Sequence, residues 1–133
     1  MYAAPPSRKF EVFATVPERF HVRNRSSTWV DVQLHGAKAP AFLEGPSFDA
    51  RGDLWVTDIP WGRLFRIDPE GNMHCELEYD GEPNGLAFHP DGRAFIADNK
   101  NGLMVFDPRT GKVEPFLDLS LIHISEPTRL GMI

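Results

Sequence analysis

The chain has 133 residues, with 14 Lys and Arg against 19 Asp and Glu and a formal charge of −5 at pH 7. That length allows one domain and not two, and the acidic balance speaks against a nucleic-acid partner, which asks for a basic face. No apolar run approaches the roughly 20 residues of a membrane span, Met1–Val12 has no apolar signal core, and the single Cys75 excludes an internal disulfide and fits a reducing cytoplasm.

Taken in chain order, Pro5, Pro6 and the stretch Arg23–Ser27 read as loop. Phe10–Thr15 and Trp29–Leu34 are each predicted as a strand. From there the pattern sharpens. Leu54, Val56 and Asp58 alternate with Trp55 and Thr57, and Leu64 and Arg66 alternate with Phe65 and Ile67. Such period-two runs, bounded by Gly and Asp-Gly, predict antiparallel strands. Strands are expected near 46–49, 53–58, 62–67 and 72–78, then near 85–89, 93–97, 101–106 and 112–116. Arg51-Gly52 and Asp91-Gly92 fall between runs as tight turns, where Gly relieves a positive φ. Asp68-Pro69-Glu70-Gly71 and Asp107-Pro108-Arg109-Thr110-Gly111 make the next turns, with Pro fixing φ and Gly closing.

These two sets of four strands are copies of one another. Gly45/Gly85, Phe48/Phe88, Gly52/Gly92 and Asp58/Asp98 recur at an offset of 40, as does Gly62/Gly102. After a one-residue slip, Ile67-Asp68-Pro69 matches Phe106-Asp107-Pro108 at 39. A repeat of about 40 residues with four strands has the size of a β-propeller blade. The expected organisation is an N-terminal segment over 1–41 with a ring-closing strand, one blade over 42–80, a second over 81–118, and a tail over 119–133. Two blades alone would leave both outer side faces open.

The tail breaks the pattern. Leu119 to Arg129 resembles the forward translation of a transposase sequencing adapter, with all eleven codons in one frame. Residues 119–133 are therefore expected to be an artefact, as an expression scar would be, with the natural reading frame departing near Asp118.

Three segments carry a family resemblance: Leu43-Glu44-Gly45-Pro46-Ser47-Phe48, then Gly52-Asp53-Leu54-Trp55-Val56-Thr57-Asp58, then Gly62-Arg63-Leu64-Phe65-Arg66-Ile67-Asp68. They resemble the opening blade of the senescence marker protein/gluconolactonase (regucalcin-like) family, and Pro83-Asn84-Gly85-Leu86-Ala87-Phe88 with Pro90-Asp91-Gly92 resembles its second blade. The resemblance implies an all-β chain, a fragment of a six-bladed β-propeller. It also implies one divalent metal at the top of the central channel, Ca²⁺ or Zn²⁺ or alternatively Mg²⁺ or Mn²⁺, and hydrolysis of a sugar or other lactone. The implied partner is a small-molecule lactone, with no nucleic acid and no membrane.

By that resemblance Glu44, in Glu-Gly-Pro, is the metal ligand, a hard carboxylate donor followed by a backbone that Gly-Pro fixes. Asn84, in Pro-Asn-Gly, is a second candidate ligand; it could equally line the channel mouth or make the turn into an inner strand. The family's other two ligands, an Asn from an Asn-Asp loop and an Asp from a later Pro-Asp-Gly that would also serve as base, have no counterpart here. Pro90-Asp91-Gly92 sits in a hairpin turn, so Asp91 is expected to be a turn residue. Asp58 and Asp98 recur in both copies and are expected to bond turn amides. No catalytic residue is assigned within the chain, and the chain as written is expected to be inactive. The competing reading is a non-enzymatic binding propeller similar to NHL-type repeats; the Glu-Gly-Pro before the first blade is what separates the two, since a scaffold has no use for it.

Overall fold

The computed structural model describes residues 1–117; the expected artefact over 119–133 lies outside the described residues. Eight strands form two antiparallel meanders. β1 (Leu43–Phe48), β2 (Leu54–Asp58), β3 (Arg63–Ile67) and β4 (Met73–Glu78) make one four-stranded sheet in that order. β5 (Pro83–Phe88), β6 (Ala94–Asp98), β7 (Gly102–Asp107) and β8 (Lys112–Leu117) make the other. The chain is all-β in its sheets, as the alternation predicts. The repeat is visible in the ladders: Leu54 faces Ile67 in the first sheet and Ala94 faces Phe106 in the second. The slip falls in the turn before Gly62. Asp58 faces Arg63 across residues 59–62, whereas Asp98 faces Gly102 across 99–101. Arg63 and Gly102 therefore share a ladder position, and Gly62 and Gly102 do not.

Turn chemistry sets the strand ends. Gly52 and Gly92 take φ of 88° and 94° and donate to the carbonyls of Asp49 and His89. In the β3–β4 turn the Asp68 carboxylate accepts from the amides of Glu70 and Asn72 at 3.1 and 2.9 Å. The Asn72 amide, opposed by burial and helped by the Asn72 side chain and His74, lowers this carboxyl to about 2. A carboxyl depressed in the fold adds stability above its unfolded pKa and loses it as pH falls. NMR titration of Asp68 is expected to show a midpoint near 2, with the turn loosening only as pH drops from 3.8 toward that value; a midpoint near 3.8 would contradict the hydrogen-bonded turn.

The two sheets pack face to face. Trp55 and Leu64 of the first meet Ala94, Ile96, Met104 and Phe106 of the second, all buried. The Trp55 ring lies 5.3 Å from Phe88 and 6.4 Å from Phe106, and its indole N–H donates to Asp49. Full burial of each such aliphatic or aromatic side chain is worth about 1.5–3 kcal/mol.

The N-terminal segment departs from expectation in one stretch. Trp29–Leu34 is no strand: Thr28–Gln33 forms α1, capped by the Ser27 hydroxyl, which accepts from the Val30 amide. Val30, Val32 and Leu34 alternate as in a strand, but Ser at the N-cap and Asp31 in the first turn favour a helix. Helical spacing then buries Val30 and leaves Val32 61% exposed. Residues 10–15 join no ladder in the described structure. Instead Ala14, Val16 and Phe20 pack onto Val56, Phe65, Ile67 and Met73, on the face of the first sheet turned away from the second. Phe20 lies 5.1 Å from Phe65, and Arg19 donates to the Met73 carbonyl. That side face is thus covered rather than open, because an apolar sheet face recruits whatever apolar chain is within reach. On the far face of the second sheet Phe95 and Phe116 meet edge-on at 5.1 Å, with Phe116 59% exposed.

Candidate functional site

The first strand of each sheet is an edge strand, and β1 lies alongside β5. Glu44 and Asn84 occupy the same position in the two copies, one residue before Gly45 and Gly85. Both side chains are exposed, and neither has a hydrogen-bond or ion-pair partner among the described residues. Both also sit at a break in their ladder. The β1–β2 register shifts between Glu44 and Ser47, and the β5–β6 register shifts between Pro83 and Gly85. Bulges of this kind re-aim side chains and free backbone groups from the ladder.

The two breaks are in contact. Gly45 takes a φ of 55°, and a Cβ there would stand 2.5 Å from the Asn84 carbonyl oxygen and 3.1 Å from the Leu86 nitrogen. Only glycine permits that approach together with that backbone. From β2, the Thr57 hydroxyl donates to the same Asn84 carbonyl at 3.0 Å. Thr57 is also the residue directly opposite Glu44 in the ladder.

Two aspartates near this end of the sheets are otherwise engaged. Asp58 accepts from the Phe42 amide at 2.7 Å and from Nε and Nη2 of Arg63 at 2.8 and 2.5 Å. Burial pushes its carboxyl above the ordinary range, with the Phe42 amide and Arg63 opposing the rise. Asp98 accepts from the amides of Glu82, Lys100 and Asn101 and from the Tyr79 hydroxyl. Burial raises its carboxyl, but the Tyr79 and amide bonds outweigh it and hold the group below the ordinary value. Burial, and then the Asp98 bond, drive the Tyr79 phenol the other way. Asp98 bonds the amides of the turn that follows it, as the repeat predicts, whereas Asp58 bonds the Phe42 amide before β1 and the Arg63 side chain in place of its turn. Asp91 accepts from the Arg93 amide in its turn, again as expected. The imidazoles of His21, His74 and His89 each face a single carboxylate, on Glu18, Asp68 and Asp91. Among the described residues no three His, Cys, Asp or Glu side chains converge. Cys75 is exposed on β4.

Two hollows flank Trp61 in the β2–β3 turn, and neither is lined by Glu44 or Asn84. One, of about 450 Å³, lies between residues 22–40 and the β2–β3 turn, with Arg25, Ser27, Lys38 and Trp61 in its wall. The other, of about 360 Å³, lies between Arg25, Trp61, Tyr79 and Lys100. Trp61 divides them, and its indole N–H donates to Ala39.

The sequence profile of the SMP-30/Gluconolactonase/LRE-like region matches residues 42–129, which begin just before β1 and take in both sheets. The chain belongs to this family. Among its curated relatives, Lactonase drp35 of Staphylococcus aureus strain USA300 is 30% identical over 70 residues, 51% of this chain. The same lactonase from strain bovine RF122 / ET3-1 is 29% identical over the same length. The matched stretch spans 20% of the length of these relatives.

In this SMP-30/gluconolactonase-type chain, Glu44 and Asn84 fit a divalent cation in kind: one anionic and one neutral oxygen, both uncommitted, at matching positions on adjacent edge strands. Thr57 and the residue 22–40 segment escape a reading by motif. A signal for Thr57 does exist: the repeat places Ala97 at its position in the second copy. No helix among the described residues is long and apolar enough to cross a membrane.

Proposed function

We propose that the full-length protein hydrolyses a lactone or related ester at a divalent metal held in part by Glu44, within a six-bladed ring of which these two sheets are the first blades. The observation that carries this reading is Glu44 itself. It is an uncommitted carboxylate at a ladder break on the edge strand that lies against the second sheet, in a chain of this family. A scaffold strand has no need of a charged group there. The match to a lactonase supports the same reaction class.

A divalent cation bound at this position supplies Lewis-acid polarisation of a carbonyl oxygen and a water acidic enough to be deprotonated near neutral pH. Glu44 contributes the charge that a hard cation requires, and Asn84 contributes a neutral amide oxygen that leaves the net charge of the site positive. The remaining ligands and the base come from outside these residues. The exposed, unpaired Cys75 fits a reducing, cytoplasmic setting.

The test is Glu44→Gln in the full-length protein. Gln keeps the volume and loses the charge. Calorimetric titration with Ca²⁺ and with Zn²⁺ is expected to show affinity lower by roughly 10–100-fold or more, with gluconolactone hydrolysis falling in parallel and the melting temperature of the metal-free protein unchanged. Unchanged metal affinity removes Glu44 from the site. A wild-type protein that binds neither metal and turns over no lactone leaves the binding-propeller reading in its place.

A further inference from the structure

Thr57 is completely buried, at 0% exposure, at the junction of the two ladder breaks. It faces Glu44 across β1–β2, and its hydroxyl reaches across the sheet-to-sheet seam to the Asn84 carbonyl. Asn84 is the residue that the β5–β6 ladder skips. A bulged residue loses ladder partners, and its backbone carbonyl then takes a donor from elsewhere. Thr57 provides that donor from the neighbouring sheet. The second copy carries Ala97 at the equivalent position, which has no hydroxyl to give. The neighbouring glycines, Gly45 and Gly85, are the same in both copies. The shape of the first strand is thus repeated, and the hydroxyl belongs to this one seam.

We infer that Thr57 is a positioning residue for the metal site: one side chain, fixed in the strand opposite Glu44, holds the strand that carries Asn84 and so sets the distance between the two oxygen donors. The inference rests on the proposed metal role of Glu44 and Asn84. It goes beyond that role in assigning their relative placement to a group that touches neither the ion nor the substrate. Val in place of Thr keeps the branched shape and removes the donor. Ser keeps the donor and removes a methyl. Cys keeps nearly the volume of Ser and offers only a weak donor.

The experiment compares Thr57→Val, Thr57→Ser and Thr57→Cys in the full-length protein. Metal affinity is read by calorimetric Ca²⁺ and Zn²⁺ titration and stability by thermal melting of the metal-free protein. Met104→Ala, which empties space in the core between the sheets, serves as a purely structural control. Thr57→Val is expected to lose roughly tenfold or more in metal affinity, the range seen when a group that orients a ligand is removed. Thr57→Ser is expected to keep wild-type affinity even with a lowered melting temperature, and Met104→Ala to do the same. Wild-type affinity in Thr57→Val overturns the inference, as does an equal loss in Thr57→Ser. If Thr57→Val does not fold, Thr57→Cys decides: affinity equal to that of Thr57→Ser overturns the inference, and weaker affinity supports it. A wild-type protein that binds neither metal overturns the metal reading and this inference together, whereas binding that is indifferent to Thr57 overturns this inference alone.

Discussion

Gly45→Ala is expected to destabilise the full-length protein by roughly 2–5 kcal/mol, combining the cost of a side chain in left-handed backbone with overpacking against a neighbour. The new Cβ would stand 2.5 Å from the Asn84 carbonyl oxygen and 3.1 Å from the Leu86 nitrogen. These are backbone atoms of another strand, so relief requires moving β5 and not merely rotating a side chain. Gly52→Ala isolates the backbone part. Gly52 has a φ of 88°, and nothing lies within 4 Å of its Cβ position. Its substitution is expected to cost only about 1–2 kcal/mol of conformational strain. Urea or guanidinium melts of the two variants give the difference directly. Equal losses would mean that β1 and β5 do not meet as described. Because Gly45 follows Glu44, the same substitution is expected to weaken metal binding, where Gly52→Ala leaves it alone.

The sheets were legible because two independent patterns agreed. Period-two alternation located each strand, and the 40-residue repeat required whatever held in one copy to hold in the other. Asp-Pro and Gly turns then fixed the ends by local chemistry. Trp29–Leu34 shows the limit. Its alternation of Val30, Val32 and Leu34 satisfies a strand template, but a strand needs a ladder partner, and alternation carries no information about partners. The Ser27 cap was the competing local signal, and it decided the matter. Phe10–Thr15 pairs with no strand among the described residues, since a ring-closing strand would join a later blade, and here Ala14, Val16 and Phe20 cover an apolar face of the first sheet.

The site was legible only as far as motif and repeat reach. Glu44 and Asn84 stand out by residue type and by their place before a glycine. Their adjacency depends on how two sheets pack, which no local pattern encodes. Thr57 lies one level deeper: a threonine inside a strand reads as ordinary strand chemistry until its hydroxyl is seen to cross the seam. Asp58 divides in the same way. Its amide-bonding role follows from recurrence in both copies, but its partner Arg63 does not, because the second copy has Gly102 at that ladder position.

That Asp58–Arg63 pair gives the second large effect. Asp58 is 0% exposed and Arg63 5%. Asp58→Ala is expected to cost about 3–5 kcal/mol, because it leaves a guanidinium buried without its counter-ion and the Phe42 amide without its acceptor. Arginine cannot shed its charge, so the variant itself is expected to show no Asp58 titration, and its deficit against wild type, whose Asp58 carboxyl is raised, to be largest near the unfolded pKa and to shrink as pH rises through the folded one. Arg63→Met leaves the opposite problem, and that problem titrates. Burial already raises the Asp58 carboxyl above its ordinary 3.8 with Arg63 present, and Arg63 is one of the groups holding it down. Without the guanidinium the folded pKa rises further. A carboxyl whose folded pKa exceeds its unfolded value is favoured by folding when protonated. Its contribution is therefore fully present below the unfolded pKa and lost as pH rises through the folded one. Arg63→Met is expected to be close to wild type in stability near pH 4 and to fall progressively behind it toward pH 8, by about 3 kcal/mol or more. Denaturant melts of both variants across that pH range test the pair. Parallel pH profiles for Asp58→Ala and Arg63→Met would show that the two charges are not desolvated together, and that this end of the first sheet admits water.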